Sequence, residues 1–255
     1  MNILLFGENG FLGKEVSKLI FKCKKNKHIN KYKIDLSKTN LISDFLRKKN
    51  PDIIINCAVK ANFKIKSSKQ MKLVNYLAVK KMVEYCVKYK KTLIHISGTI
   101  VHPFSNFYNI KSKILPKNFY GKTKWLADKF ILQNKKKLKF KIIRFSGIYG
   151  INGPDHLFLN KLINKKANIF RGNLKDVKNY IHVKDAAKCI NKLLKIKRSG
   201  IYYAGGQILN FKTMIKIINN KLKLNIHTKL KIKKKNIEIV KTGNFFKPKP
   251  FGYYL

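Results

Sequence analysis

Hydrophobic positions along the 255 residues follow two alternating periods. Short continuous apolar runs suit strands buried on both faces, and the stretches after them repeat their apolar residues every three or four positions, as one face of a helix does. "NILLF" predicts a strand ending at Gly7, and "GFLGKEVSKLIFK" a helix with Leu12, Val16, Leu19 and Ile20 on one side. "DIIINCA" (52–58), introduced by Pro51, predicts a buried strand. "MKLVNYLAVKKMVEYCVKY" is a long helical pattern with Val74, Leu77, Ala78, Met82, Tyr85 and Tyr89 on one side. "TLIHIS" (92–97), "GKTKWLADKFILQ" and "FKIIRFS" (140–146) continue the series as strand, helix, strand. This order predicts a parallel sheet with helices on both faces, and right-handed crossovers make it a doubly wound α/β fold.

Beyond Gly150 the pattern loosens. "GINGPD" reads as a loop, "LFLNKLINK" as a helix, "NYIHV" as a short strand and "KDAAKCINKLLK" as a helix with Asp185 near its start. "GIYYAGG" is another strand and "NFKTMIKIINNKL" another helix. The stretch from Ile226 to Leu255 is lysine-rich, then rich in proline and aromatics, and is expected to end in irregular structure. The expected division is residues 1–150 as one domain and 151–255 as a small lobe partly interleaved with it.

The apolar fraction of 45% supports a real core, and no continuous apolar stretch reaches membrane-spanning length. The N-terminus lacks the apolar core of a signal peptide, so a cytoplasmic protein is expected. Cys23, Cys57, Cys86 and Cys189 are far apart, with no metal spacing, and read as reduced core thiols. The charge changes the picture most: 58 Lys+Arg against 11 Asp+Glu gives +47. Such a charge raises nucleic-acid binding as a reading. The cations are dispersed, however, and nearly all are lysine; Arg47, Arg144, Arg171 and Arg198 are the only arginines. Arginine is the residue suited to bidentate reading of phosphate and guanine, so no specific nucleic-acid partner is expected. Abundant Ile, Asn, Phe, Tyr and Lys, all with A/T-rich codons, point to genome composition as the source of the charge.

Candidate chemistry begins at Gly7-x-x-Gly10-x-x-Gly13, between a strand and a helix. The first glycine allows the tight turn, the second lets backbone approach a pyrophosphate, and the third lets helix and sheet pack closely. The helix N-terminus then offers free N–H groups to phosphates. An acid some 20 residues on would face the ribose of NAD. Asp35 is near that distance, but it reads more naturally as part of a later strand, with the second strand compressed around His28. Lys24, Lys25 and Lys27 then sit nearby and tilt the expectation toward NADP. Further along, "YGKTK" places Tyr120 and Lys124 at i, i+4, on one helix face. A lysine beside a phenol lowers its pKa, and such a phenol can exchange a proton with a substrate oxygen. Ser97, at a strand end, could hold that oxygen.

In this order — glycine turn, Asp-Leu, "PDIIINCAV", "VNYLAVKKMVEYC", "SGTIVHP", YxxxK, "RFSGIYG", "KNYIHVKDAA", "GIYYAGG" — the chain resembles an extended short-chain dehydrogenase/reductase of the NAD(P)-dependent epimerase/dehydratase family. It is similar in particular to the subgroup that reduces dTDP-4-dehydrorhamnose. The resemblance implies a Rossmann domain for NADP or NAD and a lobe for a nucleotide sugar. It implies Tyr120 as general acid/base, Lys124 on the nicotinamide ribose, and Ser97 on the sugar oxygen. It also implies Gly7, Gly10, Phe11, Leu12 and Gly13 at the pyrophosphate, Asp35 and Leu36 at the adenine, and Ala58 and Val59 on the cofactor's far side. Asn75 supports the site, and Lys178 stands where the family often has an arginine touching the substrate's nucleotide. A second register of "SGTIVHP" puts Gly98 at the serine position, with Thr99 as a substitute. No Asp-Glu pair follows Ser97, which disfavours a dehydratase. The implied activity is reduction of a 4-keto nucleotide sugar, with a 4-epimerase holding NAD tightly as the alternative and a non-catalytic cofactor-binding subunit as a further one. The helices "MKLVNYLAVKKMVEYC" and "YGKTKWLADKFILQ" are the expected face of a homodimer.

Overall fold

The computed structural model describes residues 1–21, 27–28, 34–62, 67–103, 107–155, 157–230 and 236–255. Its elements run β1 (Asn2–Phe6), α1 (Phe11–Ile20), β2 (Lys27–His28), α2 (Thr39–Lys49), β3 (Ile53–Asn56), α3 (Lys69–Lys72), a π segment (Leu73–Leu77), α4 (Ala78–Lys88) and β4 (Thr92–Gly98). After a short 3-10 turn come β5 (Phe107–Tyr108), α5 (Phe119–Gln133), β6 (Lys139–Phe145), β7 (Ile148–Tyr149), α6 (Phe158–Ile163), β8 (Ile169–Gly172) and β9 (Val177–Lys178). The chain ends with β10 (Ile181–His182), α7 (Val183–Lys195), β11 (Gly200–Ala204), β12 (Leu209–Asn210), α8 (Phe211–Leu222), β13 (His227–Leu230) and β14 (Ile237–Val240).

A six-stranded sheet in the order β11-β6-β4-β3-β1-β2, with every pairing parallel, carries the expected doubly wound fold. Its strands are apolar on both sides because helices cover both faces. One face packs α1 and α7 around Val16, Ile20, Ala186 and Ile190; the other packs α2, α4 and α5 around Leu46, Met82, Val83 and Ile131. The last strand, β11, comes from residues 200–204 and so ties the C-terminal half into the first sheet. A further core gathers Tyr149, Leu159, Leu162, Phe211, Met214 and Phe251.

The long helix differs from its sequence pattern in one respect. Its pattern is met by α3, the π segment and α4 in succession, with Asn75 inside the wider π turn. Such insertions often accompany functional sites. The second strand is indeed compressed to Lys27–His28, but Asp35 is not on a strand. It opens a turn, its Oδ1 accepting from the backbone N–H (2.9 Å) and hydroxyl (2.8 Å) of Ser37. An aspartate that binds its own backbone two residues on favours a turn over a ladder.

The terminal stretch also departs from expectation. Residues 241–255 lack helix and strand, as expected, yet β13 and β14 precede them. β14 lies inside a small sheet ordered β12-β9-β14-β5. Strands of four residues are too short for a period to stand out beside lysine-rich sequence, and their partners are far away along the chain, so periodicity cannot reveal them.

Candidate active site

The glycine turn is built as its spacing requires. Gly7 sits at φ +79° and Gly13 abuts it: a Cβ on Gly13 would lie 1.9 Å from the Gly7 carbonyl oxygen. Only glycine satisfies both demands, one conformational and one steric. Gly10 is the N-cap of α1, with no side-chain cap and no acid in the first turn. The uncapped N–H groups and the helix dipole therefore face the cavity above them.

That cavity has a volume of about 1080 Å³ and runs along the C-terminal ends of the parallel strands. Its wall includes Gly7, Gly10, Phe11, Leu12 and Gly13 at one end, with Asp35, Leu36, Ala58 and Val59 beside them. The same wall holds Ser97, Thr99, Tyr120, Lys124 and Lys178. Residues over a hundred positions apart thus share one space, the place where open α/β sheets bind ligands. Asn75 is not on the wall. It is buried behind it, its Oδ1 accepting from Lys60 N (2.8 Å) and its Nδ2 donating to Lys60 O (2.9 Å) and Thr123 Oγ1 (3.0 Å). Asn75 therefore clamps the loop after β3 to the helix that carries Tyr120. Lys24 and Lys25 lie outside the described residues, and Lys27 is described only as backbone.

α5 begins at Asn118, whose side chain accepts from Gly121 N (2.7 Å) as an N-cap. This places Tyr120 and Lys124 in its first turns. Lys124 is buried; its Nζ donates to Ile96 O (2.5 Å) and lies 3.3 Å from His95 Nε2. Burial pushes the lysine down to about 8, against the pull of Asp128 and Cys57. Burial also pushes the Tyr120 phenol up to about 12. The expected lowering of this phenol by Lys124 is not found; desolvation sets the direction of its shift.

Ser97 carries the main surprise. It is buried, and its hydroxyl donates to Asp128 Oδ2 (3.0 Å). Alternate residues of a strand face opposite sides, so Ser97 shares the α5 side of β4 with His95. The next position, Gly98, lines the cavity, and a Cβ there would meet nothing closer than 3.6 Å. Both registers of "SGTIVHP" therefore have a physical basis: Ser97 has the hydroxyl, Gly98 has the open place. Thr99 lines the cavity one residue on.

Asp128 organises a buried network that the sequence did not reveal. Its Oδ2 also accepts from Arg144 Nε (3.0 Å) and Nη2 (2.9 Å). Arg144 Nη1 donates to Tyr203 Oη (2.7 Å), and Tyr203 Oη lies 2.9 Å from His102 Nε2. His102 Nδ1 lies 2.7 Å from the Lys113 carbonyl, so Nδ1 carries the proton and Nε2 accepts from Tyr203. Burial, with Lys124 and Arg144 nearby, holds His95 well below its ordinary value, so it is neutral. His102, Tyr108, Lys117, Asn118 and Glu238 also line the wall and escaped sequence reasoning.

The family model described as the RmlD substrate binding domain matches residues 1–234. The chain belongs to that family. An RmlD-family assignment covers both the glycine turn and the Tyr120–Lys124 helix. Among curated proteins, a dTDP-D-glucose 4,6-dehydratase of Dictyostelium discoideum is 26% identical over 213 residues, 74% of this chain. The match spans about half of that relative's length, 49%. A structure described as a hypothetical dTDP-4-dehydrorhamnose reductase from Sulfolobus tokodaii superposes with TM-score 0.80 at 25% identity, covering 96% of this chain and 93% of the other. The dTDP-4-dehydrorhamnose reductase of Bacillus anthracis, solved with NADP, has TM-score 0.81 at 18% identity, covering 98% and 95%, and shows the fold alone.

Proposed function

We propose that this chain is an NAD(P)-dependent oxidoreductase that acts on a nucleotide-activated sugar and reduces a 4-keto group, with Tyr120 as proton donor. The observation that carries the reading is the single cavity joining the glycine turn to Tyr120 and Lys124. The turn fits a dinucleotide: Gly7 and Gly13 leave no room for side chains, Gly10 exposes backbone, and α1 is uncapped. NADP is favoured over NAD because Lys24, Lys25 and Lys27 stand near the second strand in sequence, where cations suit a 2′-phosphate, and Asp35 comes later, in a turn. Solved structures of similar fold hold NADP, NADPH or NAD.

When bound, the cofactor would supply the hydride. The chain's own residues do the rest. Phe11, Leu12 and the glycines, which line one end of the cavity, would hold the pyrophosphate, Leu36 and Asp35 would border the adenine, and Ala58 and Val59 would close the far side. Tyr120 keeps its proton at neutral pH, since burial raises its pKa to about 12, and a protonated phenol is the form that a reduction consumes. Lys124 is poised to hold the nicotinamide ribose. Ser97 would have to turn from Asp128 to reach a carbonyl, whereas Thr99 lines the cavity without that bond. A second copy would pair through α4 and α5. No helix among the described residues is long and apolar enough to cross a membrane, and the reading places the enzyme in the cytoplasm.

Tyr120→Phe tests the proposal. NADPH oxidation with 4-keto nucleotide sugars should fall by about 10²–10⁴-fold, the usual contribution of a general acid, while NADPH binding measured by fluorescence is retained. Unchanged turnover would remove Tyr120 as the donor.

A further inference from the structure

The small sheet puts a carboxylate where the substrate would lie. β14 runs parallel to β9 with Glu238 level with Lys178, and the two side chains form an ion pair. The other oxygen of Glu238 accepts from Tyr108 Oη at 3.5 Å. All three line the same cavity as Tyr120. The Tyr108 ring also packs on His102 (5.5 Å between centroids), five residues along from Ser97. Glu238 therefore lines the cavity beside Tyr108 and near His102, far along the chain from the glycine turn. The family match stops at residue 234, so Glu238 lies outside the matched region.

An acid here is telling in a chain with 58 basic and 11 acidic residues. It cancels the charge that Lys178 would otherwise present. A phosphate at this point would have to displace Glu238 from the lysine. Two neighbouring hydroxyls would not: a carboxylate accepts from one, and an ammonium donates to the other. A second carboxylate, by contrast, would meet Glu238 in a partly desolvated site, where like charges repel most. The pair is a quarter exposed or less, 25% for the Lys178 side chain and 19% for Glu238, so solvent screens it only in part.

We propose that Glu238, held by Lys178 and Tyr108, is the specificity-determining residue for the sugar: it binds the hydroxyls of an uncharged hexose ring and excludes sugars that carry a carboxylate. This rests on the nucleotide-sugar reading above, and it moves Lys178 from the nucleotide to the sugar.

The test is calorimetric titration of the full chain, saturated with NADPH, with UDP and dTDP and with the glucose and glucuronate conjugates of each. The readout is the ratio of the two sugar affinities. The wild type should favour glucose by at least about tenfold, a modest share of what a like-charge contact costs. Glu238→Gln should erase that preference. Lys178→Gln, which leaves Glu238 unneutralised, should widen it, and it serves as a second reading if Glu238→Gln folds poorly. An unchanged ratio in either folded variant overturns the proposal. Failure of the wild type to bind UDP, dTDP or any of these sugars would instead overturn the nucleotide-sugar reading itself, and this proposal with it.

Discussion

Removing the carboxylate of Asp128 should cost this protein more stability than almost any other single change near the cavity. Asp128 is 0% exposed and Arg144 2% exposed. Asp128→Ala deletes two hydrogen bonds from Arg144, at 3.0 and 2.9 Å, and one from Ser97 at 3.0 Å. Arg144 keeps Tyr203 but is left as a buried charge without its counter-ion, 3.4 Å from the neutral His102 ring. Breaking a buried pair in this way costs about 3–5 kcal/mol. For a chain of this size each kcal/mol is worth about 2–4 °C, so the melting temperature should fall by about 6–20 °C. Thermal and urea unfolding, each followed by circular dichroism and fluorescence, measure the loss. The decisive arm is the double variant Asp128→Leu/Arg144→Met. It removes the stranded charge along with its partner, so it should recover most of the stability, because apolar replacements of buried pairs are often neutral. A loss under about 1 kcal/mol in Asp128→Ala, or a double variant as unstable as the sum of the singles, would refute the argument that the charge, not the packing, dominates.

Three further outcomes follow from the geometry. Gly13→Ala should sharply weaken NADPH binding and destabilise the fold by about 1–3 kcal/mol, since its Cβ would sit 1.9 Å from the Gly7 carbonyl; Gly10→Ala, with its nearest contact at 3.1 Å, should cost less stability than Gly13→Ala, and equal losses in unfolding assays would contradict the steric reading. Asn75→Ala should cost about 1–3 kcal/mol in urea unfolding and lower kcat/KM, because Lys60 loses both backbone partners and α5 loses its tie through Thr123. Lys124 sets a pH dependence. Its ammonium is lost in the folded chain at about 8 rather than 10.5, so kcat/KM should decline as pH rises through about 8, and Lys124→Met should flatten the alkaline limb. Between those two values the unfolded chain binds the extra proton, so this group's contribution to stability rises with pH, and a fall traced to Lys124 in pH-dependent denaturation would contradict its burial.

By itself, the sequence determined the doubly wound sheet, the glycine turn and the Tyr120–Lys124 helix. Each of these is written locally. A run such as "DIIIN" is apolar because both faces are covered, a turn at Gly7 and Gly13 needs residues without a Cβ, and an i, i+4 pair shares a helix face whatever surrounds it. Asp35 shows the limit of such reading: the choice between a strand and a turn rested on a hydrogen bond to Ser37 that no periodicity records. Tertiary structure alone decided what the buried polar groups do. Ser97 faces Asp128, Arg144 links Asp128 to Tyr203 and His102, and Glu238 meets Lys178 across a strand pairing of distant segments. Desolvation likewise overrode the sequence expectation for Tyr120. A neighbouring lysine can be read from spacing, but the loss of water around a phenol depends on everything folded over it.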